Sequence, residues 1–270
     1  HFGVSRQFTN KTVTQRLEAL EDFCPKLRSC RARHSAKVHM LRAVAWPRGL
    51  HAIASAPIGD HVWTELRRRA TNALTCNKPG VNSHLLLGLV EVRADPQLVA
   101  LLWTCRAARL SCDLDFWTAS VASVAHGDMD LPPNSVASVL LGRLQHVGLH
   151  VDRLGLVHDA FGCFSVHQGN FAEVEMRLTW AWYQVVASKV QHRSEFHGLW
   201  QVDVPATRRA LAALAPDDQA LLRFGLTGGL FTEAYKAKWA DQSDVCRWCG
   251  GRDTLQHRYW ECIQDRKSTR

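Results

Sequence analysis

The chain has 270 residues, 46% of them apolar, and a formal net charge of +8. That length and apolar content suffice for a full core and for two or three sub-domains. No apolar run reaches the ~20 residues that a membrane-spanning helix needs, and the first residues lack the apolar segment of an export signal, so a membrane partner is not expected. The charge is unevenly placed: residues 1–80 hold 14 Lys/Arg against 5 Asp/Glu, and the rest hold 19 against 20. Such asymmetry points to a region facing a polyanion, the alternative being a solvated basic face with no partner.

In chain order, Phe2, Val4 and Phe8 form an extended lead-in. Thr9-Asn10 can cap a helix with Val13, Leu17, Leu20 and Phe23-Cys24 on one face, interrupted or kinked at Pro25. Residues 34–46 carry Val38, Leu41, Val44 and Ala45 at helical spacing, and Trp46-Pro47 is expected to end that helix, because a residue before proline avoids the α region. Asp60 starts a helix with Val62, Leu66, Ala70 and Ala73 inside. Arg67, Arg68 and Arg69 step about 100° each around it and fan over one side. Residues 76–80 read as a loop.

Asp95-Pro96 is a cap followed by proline at the first helical position, and Leu98, Leu101, Leu102 and Cys105 continue the pattern. A short helix is expected over 113–125. Pro132-Pro133-Asn134 opens another with Val136, Val139, Leu140, Leu144 and Val147 inside and Gly148 past its end. Residues 149–166 change to a small β-hairpin or meander. Asn170 and Glu173 have capping-box spacing before the longest helix, over 171–192, with Val174, Leu178, Trp182 and Val185 facing inward. Two shorter helices, near 205–214 and 216–224, each begin with proline, and Gly225 to Gly229 reads as a joint. The fold class expected is mainly α.

The C-terminal stretch CRWCGGRDTLQHRYWEC places Cys246, Cys249, His257 and Cys262 at C-x2-C-x7-H-x4-C spacing. A C-x2-C turn brings two sulfurs to one metal, and Gly250-Gly251 lets the chain turn after the second. Thr254 to His257 can be a short helix presenting the imidazole. Four protein ligands leave no open position, so the site expected is a structural zinc. The plainer alternative is buried reduced thiols with a surface histidine. The other cysteines, Cys24, Cys30, Cys76, Cys105, Cys112 and Cys163, form no framework, which suits a reducing compartment, nuclear or cytoplasmic. Arg247, Trp248, Arg252, Arg258, Tyr259 and Trp260 interleave charge and rings around the ligands. Such rings can stack on unpaired bases, or Trp248 and Trp260 can cover the knuckle.

The order of these segments resembles the C-terminal part of a non-LTR (LINE-type) retrotransposon reverse transcriptase. HFGVSRQFTN is similar to the strand that closes the palm, KLRSCRARHSAKVHMLRAVAWPRGLHAIAS to the thumb helices, and CRWCGGRDTLQHRYWEC to the zinc-knuckle-like element after the thumb. The resemblance implies a palm-like strand end at 1–10, a basic thumb-like helical domain at 11–80 and a helical connector at 81–240. A CCHC knuckle at 241–262 and a tail at 263–270 complete it. The chain is accordingly read as a segment of a longer open reading frame.

By that resemblance it clamps a template–primer of RNA and DNA through phosphate contacts from Arg28, Arg31, Arg33, Lys37, Arg42, Arg67, Arg68 and Arg69. Arg247, Trp248, Arg252 and Arg258 on the knuckle hold RNA or target DNA. The implied partners within the polypeptide are upstream fingers and palm domains, and a downstream RNase H domain in some relatives. The polymerase motif of the family, an aromatic-Ala-Asp-Asp hairpin, is not matched. Ala215-Pro216-Asp217-Asp218 reads as a helix N-terminus where the dipole favours acids, so no catalytic residue is assigned and the segment alone is expected to be inactive. The gap before His257 is longer than in retroviral nucleocapsid knuckles, so RNA specificity does not carry over. Asp113, Asp115, Asp128 and Asp130 are better explained by surface solvation than as a two-metal site, and His192 and His197 by a helix end. The competing reading is a degenerate or domesticated helical scaffold that binds a protein, with the zinc loop as a staple and no nucleic-acid role.

Overall fold

The computed structural model describes residues 11–75, 81–126, 131–132, 134–192, 196, 203–228, 232–237, 243–254 and 257–262. The lead-in strand, the Thr9-Asn10 cap, the 76–80 loop, Asp128, Asp130 and His197 lie outside them. The protein is mainly helical, with a small antiparallel sheet. The helices are α1 (Lys11–Ser29), α2 (His34–Met40), α3 (Trp46–Gly49), α4 (Asp60–Thr75), α5 (Ser83–Leu85), α6 (Pro96–Ser111), α7 (Leu114–His126) and α8 (Val136–His146). Strands β1 (His150–Val151), β2 (Leu156–Asp159) and β3 (Gly162–Ser165) follow, then α9 (Phe171–Val190), α10 (Val204–Ala212), α11 (Pro216–Leu226) and α12 (Glu233–Lys236). Among the described residues no helix is long and apolar enough to cross a membrane.

The chain divides into two compact units, His1–Asn77 with Glu91–Val185 and Lys78–Val90 with Val186–Arg270.

In the first unit α1 packs on α4 and α3 and buries Leu20, Cys24 and Leu27. Pro25 does not interrupt α1, which runs on to Ser29. Proline removes one backbone bond from a helix, and Pro25 is exposed, so water can satisfy the carbonyl left over. The second helix also overrides its proline. It passes from α2 through a π-helical turn, Leu41–Ala45, directly into α3, with Trp46 at φ −63 and ψ −44 although Pro47 follows. The π turn closes with the Trp46 N–H on the Leu41 carbonyl, five residues back. It adds a residue to one turn and rotates the helix where Trp46 must enter the core. Trp46 is fully buried and donates its Nε1–H to the Ala94 carbonyl at 2.9 Å. Losing such a ring costs about 3–5 kcal/mol, more than the backbone preference it overrides.

Helix α6 begins as its sequence predicts. Asp95 accepts from the Gln97 and Leu98 N–H groups, Pro96 takes the first position, and Leu98, Leu101 and Cys105 are buried. Helix α8 is capped by Ser135, the hydroxyl accepting from the Ser138 N–H. Arg143 on α8 donates to the carbonyls of Ile53, Ala56 and Ala100 and to the Thr104 hydroxyl, tying α8 to α6 and to the turn after α3. Burial pushes its pKa down to about 10.

Residues 150–165 form a three-stranded meander, β1-β2-β3, with Val157 opposite Phe164 and both buried. Arg177 on α9 fastens it. Its guanidinium meets Asp159 at 2.7 and 2.6 Å, donates to the Cys163 carbonyl and lies 4.5 Å over the Phe164 ring. Asn170 caps α9 through the Ala172 N–H.

In the second unit a π-helical turn, Leu86–Val90, follows α5 and packs against α10 and α11, burying Leu86, Leu87 and Val90. Asp217 and Asp218 occupy the first turn of α11 behind Pro216, the helix N-terminus expected of that tetrapeptide. Gly225 is buried inside α11 and Gly228 turns the chain at φ 72 after it.

Candidate metal centre

The C-terminal cluster is built from two local structures. The first is a tight turn opened by an antiparallel bridge between Val245 and Arg252. Within it the Cys246 N–H donates to the Gly251 carbonyl at 2.6 Å and the Gly250 N–H to the Cys246 carbonyl at 3.0 Å. Gly250 sits at φ 76, where a side chain is strained. A Cβ on Gly251 would stand 3.2 Å from the His257 ring, so both glycines let the loop close. The turn aims backbone donors at sulfur. The Trp248 N–H, against the upward push of burial and with help from the Cys249 N–H, holds the Cys246 thiol down to about 7. At Cys249 the Gly251 N–H pulls the same way, but burial and the neighbouring Cys262 and Cys246 sulfurs outweigh it and the pKa is raised.

The second structure is a π-helical turn, His257–Glu261, closed by the Cys262 N–H on the His257 carbonyl at 2.7 Å. The short helix expected over Thr254 to His257 lies partly outside the described residues, since 255–256 are not among them; across it the Arg258 N–H donates to the Thr254 carbonyl at 3.0 Å. Thr254 contributes as a cap, its hydroxyl accepting from the His257 N–H at 3.0 Å.

Together these bring Cys246, Cys249, His257 and Cys262 into one cluster, with no two ligand atoms more than 4.8 Å apart. Cys246 Sγ and Cys262 Sγ are 3.8 Å apart, and Cys249 Sγ and His257 Nε2 3.1 Å. Metal–sulfur arms of about 2.3 Å give tetrahedral sulfur–sulfur edges of about 3.8 Å, so the first pair already has the spacing of two ligands. The second is shorter than a tetrahedral edge and must open slightly to admit an ion. Cys246, Cys262 and His257 are buried and Cys249 reaches the surface. The four residues could bind a metal ion, with every donor supplied by the chain.

Around the cluster lies Asp253, 1% exposed, whose carboxylate takes Arg258 at 2.7 and 2.6 Å and the Glu233 N–H at 2.6 Å. Nothing in the sequence singles it out, since it follows no periodic pattern. A cavity of about 380 Å³ opens beside it, lined in part by Lys236, Arg247, Trp248 and Arg258. Arg247 lies 4.7 Å over the Trp248 ring, and Trp248 is 53% exposed, so it does not cover the knuckle. Arg252 pairs with Asp244 at 3.0 Å on the surface. The Tyr259 and Trp260 side chains lie outside the description.

The expected phosphate-binding cations divide. Arg28, Arg31, Arg33 and Arg42 are exposed. Arg67 is not available: it is 1% exposed and bonded to Asp95 and Gln97. The three-arginine fan fails there because helical rotation turns its first member into the core, where Asp95 neutralises it. Lys37 is likewise buried, its ammonium donating to the Arg28 carbonyl. Arg68 and Arg69 both pair with Glu65 at 2.6 Å, and the Arg68 and Arg69 hydrogen bonds hold that carboxyl down to about 2. Arg258 is drawn inward by Asp253. Burial pushes the Cys24 and Cys105 thiols up to about 11 and 12, keeping them protonated and unfit as ligands. Asp113 accepts from the Phe116 N–H at the start of α7, a capping role.

No family model, curated protein or solved structure matches this chain.

Proposed function

We propose that the chain is a nucleic-acid-binding, non-catalytic part of a reverse transcriptase of the non-LTR retrotransposon type, stapled near its C-terminus by a structural zinc ion. The observation that carries the nucleic-acid reading is the run of exposed cations in the segment where the positive charge is concentrated. Arg31, Arg33, Arg42 and Arg48 are all exposed, and among the described residues none has an ion-pair partner. Unpaired surface guanidinium groups are suited to phosphate, which they meet without reading sequence. The order of sequence segments supports the family reading. Three thiolates and an imidazole suit zinc among the common divalent ions, and a full protein donor set suits a structural role rather than hydrolysis.

The test of the binding role is fluorescence anisotropy of the whole chain on an RNA–DNA primer–template at two salt concentrations. Binding whose affinity falls steeply with salt is expected. Absent or salt-insensitive binding overturns the reading.

One observation favours the scaffold reading: Arg67, Lys37, Arg68 and Arg69 are all engaged within the protein. On that reading the helical body binds a protein, and the anisotropy assay returns no binding on any nucleic acid.

A further inference from the structure

We infer that Asp253 is the positioning residue of the metal centre, so that loading the cluster and docking α12 are a single coupled event; this rests on the zinc reading above. Asp253 joins three pieces of chain. Its carboxylate accepts from the Glu233 N–H at the start of α12 and from Nε and Nη2 of Arg258. Its backbone carbonyl accepts from the Ala234 N–H at 3.2 Å, and its own N–H donates to the Asp244 carbonyl at 2.8 Å. Every polar atom of the residue is used, as a buried carboxylate requires.

Each partner has a consequence. Arg258 follows His257 directly and lies in the π turn His257–Glu261 that the Cys262 N–H closes, so holding Arg258 holds the segment that carries two of the four donors. Asp244 stands two residues before Cys246, so the same residue braces the strand leading to the first thiol. Glu233 and Ala234 present first-turn N–H groups of the kind a helix cannot satisfy internally. A helix of four residues has no independent stability. Helix α12 is therefore in place because Asp253 is, and Asp253 is in place because the knuckle is closed around its ion.

The test uses the whole chain with cobalt(II) as the probe. Affinity is read from the thiolate-to-cobalt absorption, and backbone exchange at Glu233 and Ala234 by hydrogen–deuterium exchange with and without chelator. Asp253→Asn keeps the shape but places an amide where three donors converge. It is expected to weaken cobalt binding by about 10–100-fold, the usual cost of losing a partner around a ligand set, and to speed exchange at 233–234 with metal present. Arg252→Ala, which removes only the surface pair with Asp244, should leave both readouts unchanged. Wild-type affinity in Asp253→Asn, or unaltered exchange at 233–234, overturns the inference alone. If the unmodified chain takes up no cobalt, the zinc reading falls and the inference with it. If Asp253→Asn does not fold, the native chain decides: chelation that speeds exchange across 246–252 but leaves 233–234 protected overturns the coupling.

Discussion

Arg67 and Asp95 form an ion pair sealed inside the first unit, Nε to Oδ2 at 2.8 Å, with side chains 2% and 0% exposed. Taking both charges from water is costly, and such a pair holds only when the remaining donors and acceptors are satisfied. Here they are. Asp95 also caps α6, and Arg67 donates to Gln97 and lies 4.9 Å over the Trp182 ring. Asp95→Ala is expected to destabilise the protein by about 3–5 kcal/mol, since it strands a buried guanidinium and removes a cap. Arg67→Met alone strands the carboxylate. The double variant Arg67→Met, Asp95→Ser keeps a capping oxygen and removes both charges, so it should recover most of that loss. Urea unfolding of the three variants checks this; strictly additive losses would mean the two residues are not coupled.

The same pair shows what a sequence can and cannot disclose. Asp95-Pro96 is a local signal, and α6 starts where it says. The Asn170 cap, the inward faces of α6 and α9, the meander and the helix start at Pro216 are likewise set by neighbours in the chain. What failed is what distant residues decide. Arg67 looks like surface charge until Asp95 is placed beside it, 28 positions on. Trp46-Pro47 looks like a helix end until the Trp46 ring finds the Ala94 carbonyl. The four donors of the cluster were legible because C-x2-C spacing is local geometry. Asp253 was not, because its partner Glu233 lies 20 positions away across the fold.

Acid should loosen the meander through Asp159. The Arg177 hydrogen bonds and two backbone donors outweigh burial and hold the Asp159 carboxyl below its ordinary value of 3.8. A depressed carboxyl contributes stability that is present above that ordinary value and is lost as pH falls through the lower, folded value. Asp159→Asn should cost about 1–3 kcal/mol at neutral pH. Its unfolding free energy should also decline less than the native protein's below about pH 4. Denaturation midpoints across pH 2–7 for both proteins, an experimental range chosen to bracket about 4, make the comparison; parallel curves would remove Asp159 as the cause.

If the exposed arginines meet phosphate, they should each account for a share of the salt dependence. Replacing Arg31, Arg33 and Arg42 together by alanine is expected to lower the slope of log affinity against log salt by about 2–3. The loss should be the same for unrelated sequences, because backbone contacts do not discriminate. Arg68→Ala and Arg69→Ala should lower it by less, since Glu65 already holds both side chains. Titrations at four salt concentrations measure the slopes, and an unchanged slope in the triple variant would place the interface elsewhere.

The thiols give an independent reading of the metal. Cys30 and Cys163 are exposed and should react at once with an aromatic disulfide reagent. Cys24 and Cys105 are buried with pKa values pushed up to about 11 and 12, and should stay silent until the protein unfolds. Cys246, with its pKa held near 7 by backbone donors, has the thiolate character of a fast nucleophile when the site is empty. A bound ion would occupy that lone pair and those of Cys249 and Cys262 and slow all three. Adding a zinc chelator to protein purified with its metal should therefore raise the count of fast-reacting thiols by three, with release of one zinc per chain followed by a chromogenic indicator in the same cuvette. Cys249 is accessible to reagent in either state, but its raised pKa also slows it, so the change in its rate on chelation, rather than its silence, reports coordination. Three thiols beyond Cys30 and Cys163 reacting immediately in untreated protein, with no zinc released, would leave the cluster as reduced cysteines that share a fold but no ion.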